Sequence, residues 1–265
     1  MSPRPLALVT GGSSGIGLEL ARQFARHGFD LVIAARDPDV PGVAALHELG
    51  AGVDPVAADL ATDDGVRALH ARLAGRPLAA AALNAGVAAG GAFADAGPDG
   101  TELEDELALI DLNVRGTVHL AKLVARDMVA RGEGRILFTS SISSNMPGAF
   151  HAVYNASKSF VQSFALALRE ELRGTGVSVT LLMPGPTRTA LFARADMLDT
   201  QVATGPQSDP ADVARAGFRA LMAGDERVTP GLQARAEALA SRFVPDGVKA
   251  AFHRLMAQPG TGRQG

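Results

Sequence analysis

The chain has 265 residues, 47% hydrophobic and 20% charged, with a formal net charge of −3. This fits one α/β domain, or two small ones, with a sizeable core, and gives no reason to expect nucleic acid or an anionic membrane as partner. The absence of cysteine excludes disulfides, thiol catalysis, Cys-ligated zinc and iron–sulfur clusters.

Pro5 to Thr10 reads as a short buried strand, too short and too soon interrupted by glycine to be a signal peptide. Thr10-Gly11-Gly12-Ser13-Ser14-Gly15-Ile16-Gly17 follows, then a helix with Ile16, Leu20, Phe24 and Ala25 on its apolar face. A strand, a glycine turn and a helix form the setting in which a dinucleotide pyrophosphate sits on a helix N-terminus. Small residues let the backbone approach the phosphates, and free N–H groups point at them. Gly11, Ser13, Ser14, Gly15, Ile16 and Gly17 are therefore candidate cofactor contacts, although the spacing is G-x-x-x-G-x-G and not the common G-x-G-x-x-G. Asp30 to Ala35 is the second strand, ending Ala34-Ala35-Arg36-Asp37-Pro38. An acid at position 35 would exclude a ribose 2′-phosphate. Ala35 leaves room for one, and Arg36 can bind it through a forked, charge-assisted contact. This favours NADP. A strand one residue longer would make Asp37 the ribose acid, as in NAD enzymes.

Ala44 to Leu49 is helical, and Val53 to Ala58 is a third strand, marked as an edge by Pro55. Asp59-Leu60 ends it. Asp59 is a candidate acceptor for an adenine amino group, or else a loop acid near a helix cap at Asp63. Val66 to Leu73 is helical. Leu78 to Leu83 is alanine-rich and a poor strand by propensity, but it falls where βαβ alternation needs one and ends in Asn84-Ala85-Gly86. Thr101 to Ala130 reads as one long helix with Thr101 and Glu104 as a capping box. Asn113 is a poor mid-helix residue there.

Ile136 to Thr139 is the fifth strand, followed by Ser140-Ser141. Next comes Tyr154-Asn-Ala-Ser-Lys158, on a helix continued by Phe160, Val161, Phe164, Leu168 and Leu172. Tyr154 is the only tyrosine, and tryptophan is absent. Four residues apart on a helix, Tyr154 and Lys158 share a face. An ammonium beside a phenol is expected to lower its pKa from about 10, making a general acid or base. Val177 to Met183 is the sixth strand, leading into Pro184-Gly185-Pro186-Thr187-Arg188-Thr189. Residues 190 to 209 lack periodicity and are expected to form a lid. Asp209-Pro210 caps a helix over Ala211 to Met222, and Val228-Thr229 is a short last strand. From Leu232, apolar positions 232, 236, 239, 243, 248, 252 and 255 predict two helices broken at Pro245-Asp246-Gly247. They are expected to cover the sheet or the pocket; contact with a membrane surface or another subunit is the alternative. The tail from 257 is expected to be disordered. Six scattered histidines offer no metal site, and no run reaches transmembrane length, so the expected location is cytoplasmic.

Strands and helices alternate throughout. The expected fold is a doubly wound, Rossmann-type α/β sheet, mostly parallel and seven-stranded, with ligands at the carboxyl ends of the strands. Residues 1–230 form its dinucleotide-binding and catalytic domain, with the lid at about 190–209 and a helical extension at 231–256.

The chain resembles the short-chain dehydrogenase/reductase family over roughly residues 5 to 230. The resemblance rests on Thr10-Gly-x-x-x-Gly15-x-Gly17, Asn84-Ala-Gly86, Asn113, Ser141 thirteen before the tyrosine, Tyr154-x-x-x-Lys158, and Pro184-Gly185. Pro184-Gly-Pro-Thr-x-Thr189 is similar to one bacterial subgroup. Leu83 departs from the family's usual first asparagine of Asn-Asn-Ala-Gly. The resemblance implies that Tyr154 protonates the substrate oxygen as hydride arrives from a nicotinamide, and that Ser141 holds the same oxygen. It implies that Lys158 binds the nicotinamide ribose, that Asn113 holds a proton-relay water, and that Thr187 and Thr189 hold the carboxamide. The implied activity is an NADP(H)-dependent carbonyl reductase or alcohol dehydrogenase without metal. An NAD-dependent dehydrogenase or a non-catalytic dinucleotide sensor is the alternative. Met146, Phe150, Met183, Leu191, Phe192 and Met197 are the expected substrate lining, suited to a hydrophobic carbonyl compound. A homodimer or homotetramer is implied.

Overall fold

A computed structural model describes residues 4–37, 42–95, 97, 99–241 and 243–263; Pro38 and Arg242 lie outside them. Seven strands, β1 (Leu6–Thr10), β2 (Asp30–Ala35), β3 (Val53–Ala57), β4 (Leu78–Leu83), β5 (Gly134–Thr139), β6 (Val177–Leu182) and β7 (Arg227–Val228), form one sheet. Their order is β3-β2-β1-β4-β5-β6-β7, and every pairing is parallel. The order reverses between β1 and β4, so a crevice opens at their carboxyl ends. β4 is a strand despite its alanines because it lies between β1 and β5, with Ala80, Ala81 and Ala82 fully buried. Position in the sheet overrides propensity. β3 pairs only with β2, the edge place that Pro55 tolerates.

Helices cover both faces, which is why β1, β2 and β4 are nearly continuous apolar runs without alternation. One face packs α1 (Gly15–Arg26), α2 (Val43–Glu48) and α9 (Pro210–Ala223). There Phe24 meets Phe29 and Phe218 edge-on, each at 5.2 Å. Fully burying a side chain of that size contributes roughly 1.5–3 kcal/mol. Asp209 caps α9 through its Oδ1, 2.8 Å from the Ala211 N–H, with Pro210 as first helical residue. The other face packs α3 (Asp63–Arg72), α5 (Thr117–Arg131) and α6 (Ala152–Glu171).

Periodicity predicts one helix from Thr101 to Ala130; the structure breaks it. α4 (Leu103–Ile110) has Glu102 in its cap position with no side-chain cap bond, so the Thr101–Glu104 capping box does not form. A π turn over Asp111–Gly116 separates α4 from α5. Gly116 presses against the turn after β3, where a Cβ would come 1.9 Å from the Leu60 carbonyl oxygen. The wider turn carries Asn113 inward, to 1% exposure.

The segment 190–209 is more ordered than its lack of periodicity predicts. It contains α7 (Leu191–Arg194) and α8 (Gln201–Thr204), with a small core of Phe192, Ala195, Met197 and Ala203. α10 (Leu232–Ala240) and α11 (Asp246–Ala257) break where Pro245 requires. Their apolar positions mostly face outward: Leu232, Leu239, Phe243, Val248, Phe252 and Leu255 are all more than half exposed. Ala234, His253 and Ala257 turn inward instead. The expected disordered tail is also corrected as far as residue 263. Gly262 N donates to the Asp199 carbonyl at 2.7 Å, and Gly260 N to its carboxylate at 2.7 Å. No helix among the described residues is long and apolar enough to cross a membrane.

Candidate active site

The crevice is stitched by one asparagine. Thr10 Oγ1 accepts from the N–H groups of Asn84 (2.9 Å) and Ala85 (3.0 Å). The Asn84 amide donates back to the Thr10 carbonyl at 3.3 Å and accepts from Thr139 Oγ1 at 3.1 Å. The ends of β1, β4 and β5 are thereby locked together, each bond worth about 1 kcal/mol net. The glycine loop fits against this lock. Gly11 has φ +64°, and a Cβ there would lie 2.9 Å from Ala85 Cα. Thr189 leans over Gly15 from the other side, its methyl 2.9 Å from where a Cβ would stand. Ser14 occupies the N-cap of α1 without a side-chain cap bond. The first N–H groups of α1 remain available to an anionic group, as a dinucleotide pyrophosphate requires. The glycine cradle and this open helix end fit such a cofactor.

Tyr154 and Lys158 lie on α6, and Ser141 caps the short 3₁₀ turn after β5. Ser141 Oγ accepts from Ser143 Oγ at 2.6 Å and stands beside the Tyr154 phenol, favouring its ionised form. Lys158 is 6% exposed, donates to the Thr139 carbonyl at 3.3 Å, and lies 5.7 Å from the Tyr154 ring centroid. The direction of the Tyr154 shift reverses the sequence expectation. Burial pushes the phenol up to about 12, against a smaller downward pull from Ser141. Burial likewise brings Lys158 down to about 8. Desolvation outweighs the ammonium because the lysine is itself buried and turned onto the Thr139 carbonyl.

Asn113 Oδ1 accepts from Val87 N at 2.9 Å, while its Nδ2 donates to Val87 O at 2.9 Å and Ser157 Oγ at 3.1 Å. It fixes the chain just after the Asn84-Ala85-Gly86 turn. A Cβ at Gly86 would meet Asn113 Oδ1 at 3.0 Å and Lys158 Nζ at 3.2 Å, so both groups converge on that glycine.

These residues open into a cavity of about 320 Å³. Gly11, Ser13, Ser14, Gly15, Ile16 and Asn84 to Gly86 line one part; Pro184, Gly185, Thr187 and Thr189 line its roof. Gly17 stands behind the loop, against Gly11. Arg36, Asp59 and Leu60 do not line this cavity. Arg36 and Asp59 are exposed at the ends of the neighbouring strands, and Leu60 is buried in the core. Of the expected substrate lining, Met146, Leu191, Phe192 and Met197 do line the cavity. Met183 belongs to the core under the sheet, 2% exposed, because it continues the inward face of β6. Phe150 is outside the lining as well; its backbone is left-handed (φ +62°), with its carbonyl accepting from Gly91 N. Sequence reasoning missed His151 and His253, which enter from the α6 N-terminus and from α11. Only the closeness of His151 to Tyr154 in sequence signals either of them.

A sequence profile described as short chain dehydrogenase matches residues 5–197. An uncharacterized oxidoreductase of Myxococcus xanthus is 39% identical over 195 residues, 71% of this chain and 74% of its own. The short-chain dehydrogenase of Sphingobium yanoikuyae, solved with NADPH, superposes with a TM-score of 0.78 at 31% identity, covering 90% of this chain and 93% of its own. A Burkholderia phymatum short chain dehydrogenase/reductase, solved with NAD, gives a TM-score of 0.80 at 25% identity, covering 89% and 92%. With its parallel sheet, glycine cradle and Ser-Tyr-Lys crevice, the chain belongs to the short-chain dehydrogenase/reductase family and is an oxidoreductase.

Proposed function

We propose that this protein is a cytoplasmic, NADP(H)-dependent reductase of hydrophobic ketones or aldehydes, working without metal. The observation that carries the reading is a half-buried Tyr154, its phenol kept protonated at neutral pH by desolvation, beside Ser141 and opening into an apolar cavity next to the glycine cradle. When bound, the nicotinamide supplies a hydride to the carbonyl carbon. Tyr154 gives its proton to the carbonyl oxygen, and Ser141 holds that oxygen while negative charge develops on it. Lys158, still cationic below about pH 8, stabilises the phenolate that remains and holds the cofactor ribose. Asn113 keeps a spare lone pair on Oδ1 beside Lys158 and positions the water that returns the proton. Thr187 and Thr189 hold the carboxamide, and residues 190–209 close over the bound pair. Reductive kcat/KM should therefore fall as pH rises through about 8, because Lys158 is charged below its pKa and neutral above it. A profile flat to pH 10 overturns this role for Lys158.

NADP is supported by Ala35 and exposed Arg36 at the end of β2, and by the NADPH found in the Sphingobium relative. NADPH should bind at least tenfold tighter than NADH, about 1.4 kcal/mol. Arg36→Ala should remove most of that difference. Equal affinity of the wild type for both cofactors, measured by fluorescence titration, rejects the assignment. Exposed Phe93, Leu103, Leu107, Ile110 and Phe160 on the face formed by α4 and α6 support a homodimer or homotetramer through that face.

A further inference from the structure

The C-terminal segment lies beyond the residues matched by the family profile, yet it closes the substrate end of the cavity. α11 is fastened to the loop before α6 at two points. His253 Nδ1 lies 2.8 Å from the Ala149 carbonyl, and Lys249 Nζ donates to the Asn145 carbonyl at 3.3 Å. The turn after α11 is fastened to the segment 199–201 through Gly260, Gly262 and Thr261. His253 is thus held in place, 9% exposed and facing the cavity. Its ring is 5.4 Å from that of His151, which is 5.9 Å from the Tyr154 ring.

The carbonyl of Ala149 can only accept, so the proton of His253 is on Nδ1. Burial lowers the pKa of both histidines, His151 to about 3, and both are neutral at pH 7. A neutral imidazole protonated on Nδ1 presents a bare lone pair at Nε2. Among the described residues nothing donates to it. The His151 ring is instead taken up by the Met197 sulfur. Phe192, Val202 and Met256 supply the apolar part of the surrounding wall, and Arg194 and Gln201 its polar part. A neutral imidazole acceptor favours a neutral donor and has no charge of its own for a carboxylate.

We propose that His253 is a specificity-determining residue, its Nε2 accepting a hydrogen bond from a hydroxyl or amide N–H that the substrate carries away from the reacting carbonyl. This rests on the reductase reading above and selects, within it, hydrophobic ketones bearing a second, neutral donor group. A site built around an acceptor discriminates strongly against the analogue that lacks the donor.

The test compares NADPH-dependent kcat/KM for 4-phenylbutan-2-one with that for its 2-, 3- and 4-hydroxyphenyl counterparts. At least one hydroxylated ketone should be preferred fivefold or more by the wild type. His253→Phe should bring that ratio to within twofold of one, and His253→Gln, which keeps an acceptor, should retain part of it. Turnover of all four ketones without a fivefold preference overturns the proposal alone, whatever the variants do. Preference retained in His253→Phe, or a Gln variant no better than Phe, also overturns it. No turnover of any ketone overturns the reductase reading and this proposal together.

Discussion

Tyr154→Phe should lower ketone turnover by roughly 10²- to 10⁴-fold, the range general acid catalysis supplies, while NADPH still binds. The substitution removes one oxygen from a half-buried ring that lines the cavity. The ring contacts with His151 and Lys158 survive, but the proton donor does not. The resting protonation state follows from the same residue. With its pKa pushed up to about 12, on the order of one molecule in 10⁵ carries the phenolate at pH 7. The free protein is thus set as an acid for reduction and is poorly set as a base for oxidation. Because Tyr154 is the sole tyrosine and tryptophan is absent, tyrosinate absorbance reads this one group. The cofactor-free protein should show no tyrosinate until pH exceeds about 11, and Tyr154→Phe should show none at any pH. A phenol titrating below 10 would reinstate the lysine-depressed value that the Tyr-x-x-x-Lys spacing predicts. A Phe variant that keeps most of its turnover removes Tyr154 from the proton-donor role.

Local pattern made most of the sheet legible. Strands β1, β2, β4 and β6 sit within a residue of where apolar runs and glycine turns predict. Pro55 marks the edge strand because a missing N–H is tolerated only there. What failed depends on distances that no local pattern contains. The π turn at Asn113 exists because Gly116 meets the Leu60 carbonyl, and the two are far apart in sequence. The sign of the Tyr154 shift depends on how completely the Tyr154–Lys158 pair is buried, and helical spacing says nothing of burial. Met183 continues an apolar strand, so sequence cannot separate its core role from a lining one. The outward apolar positions of α10 and α11 have helical spacing like any inward face. His253 is missed for the same reason: its approach to His151 is set by where α11 docks.

Gly17→Ala should weaken NADPH binding at least 100-fold, about 2.7 kcal/mol, and lower the melting temperature by about 5 °C or more. Gly17 lies in the first turn of α1, against the glycine loop. An added Cβ would lie 2.1 Å from the Gly11 carbonyl oxygen and 2.7 Å from Asn84 Nδ2. Neither neighbour is free to yield. Gly11 N donates to the Ala34 carbonyl at 2.8 Å, and the Asn84 amide joins β1 to β5. The methyl must therefore displace the backbone that forms the phosphate cradle. Strain of even 2 kcal/mol would shift the melting temperature of a chain this size by several degrees. Gly247→Ala is the matched control. Gly247 lies in the first turn of α11 with nothing within 4 Å of an added Cβ, and alanine there gains up to about 1 kcal/mol of helix propensity. The same chemical change should thus destabilise at position 17 and be neutral or stabilising at 247. Thermal melts and NADPH fluorescence titrations read both effects. If Gly17→Ala binds NADPH within threefold of the wild type, the loop from Gly11 to Gly17 is not the cradle for the cofactor phosphates.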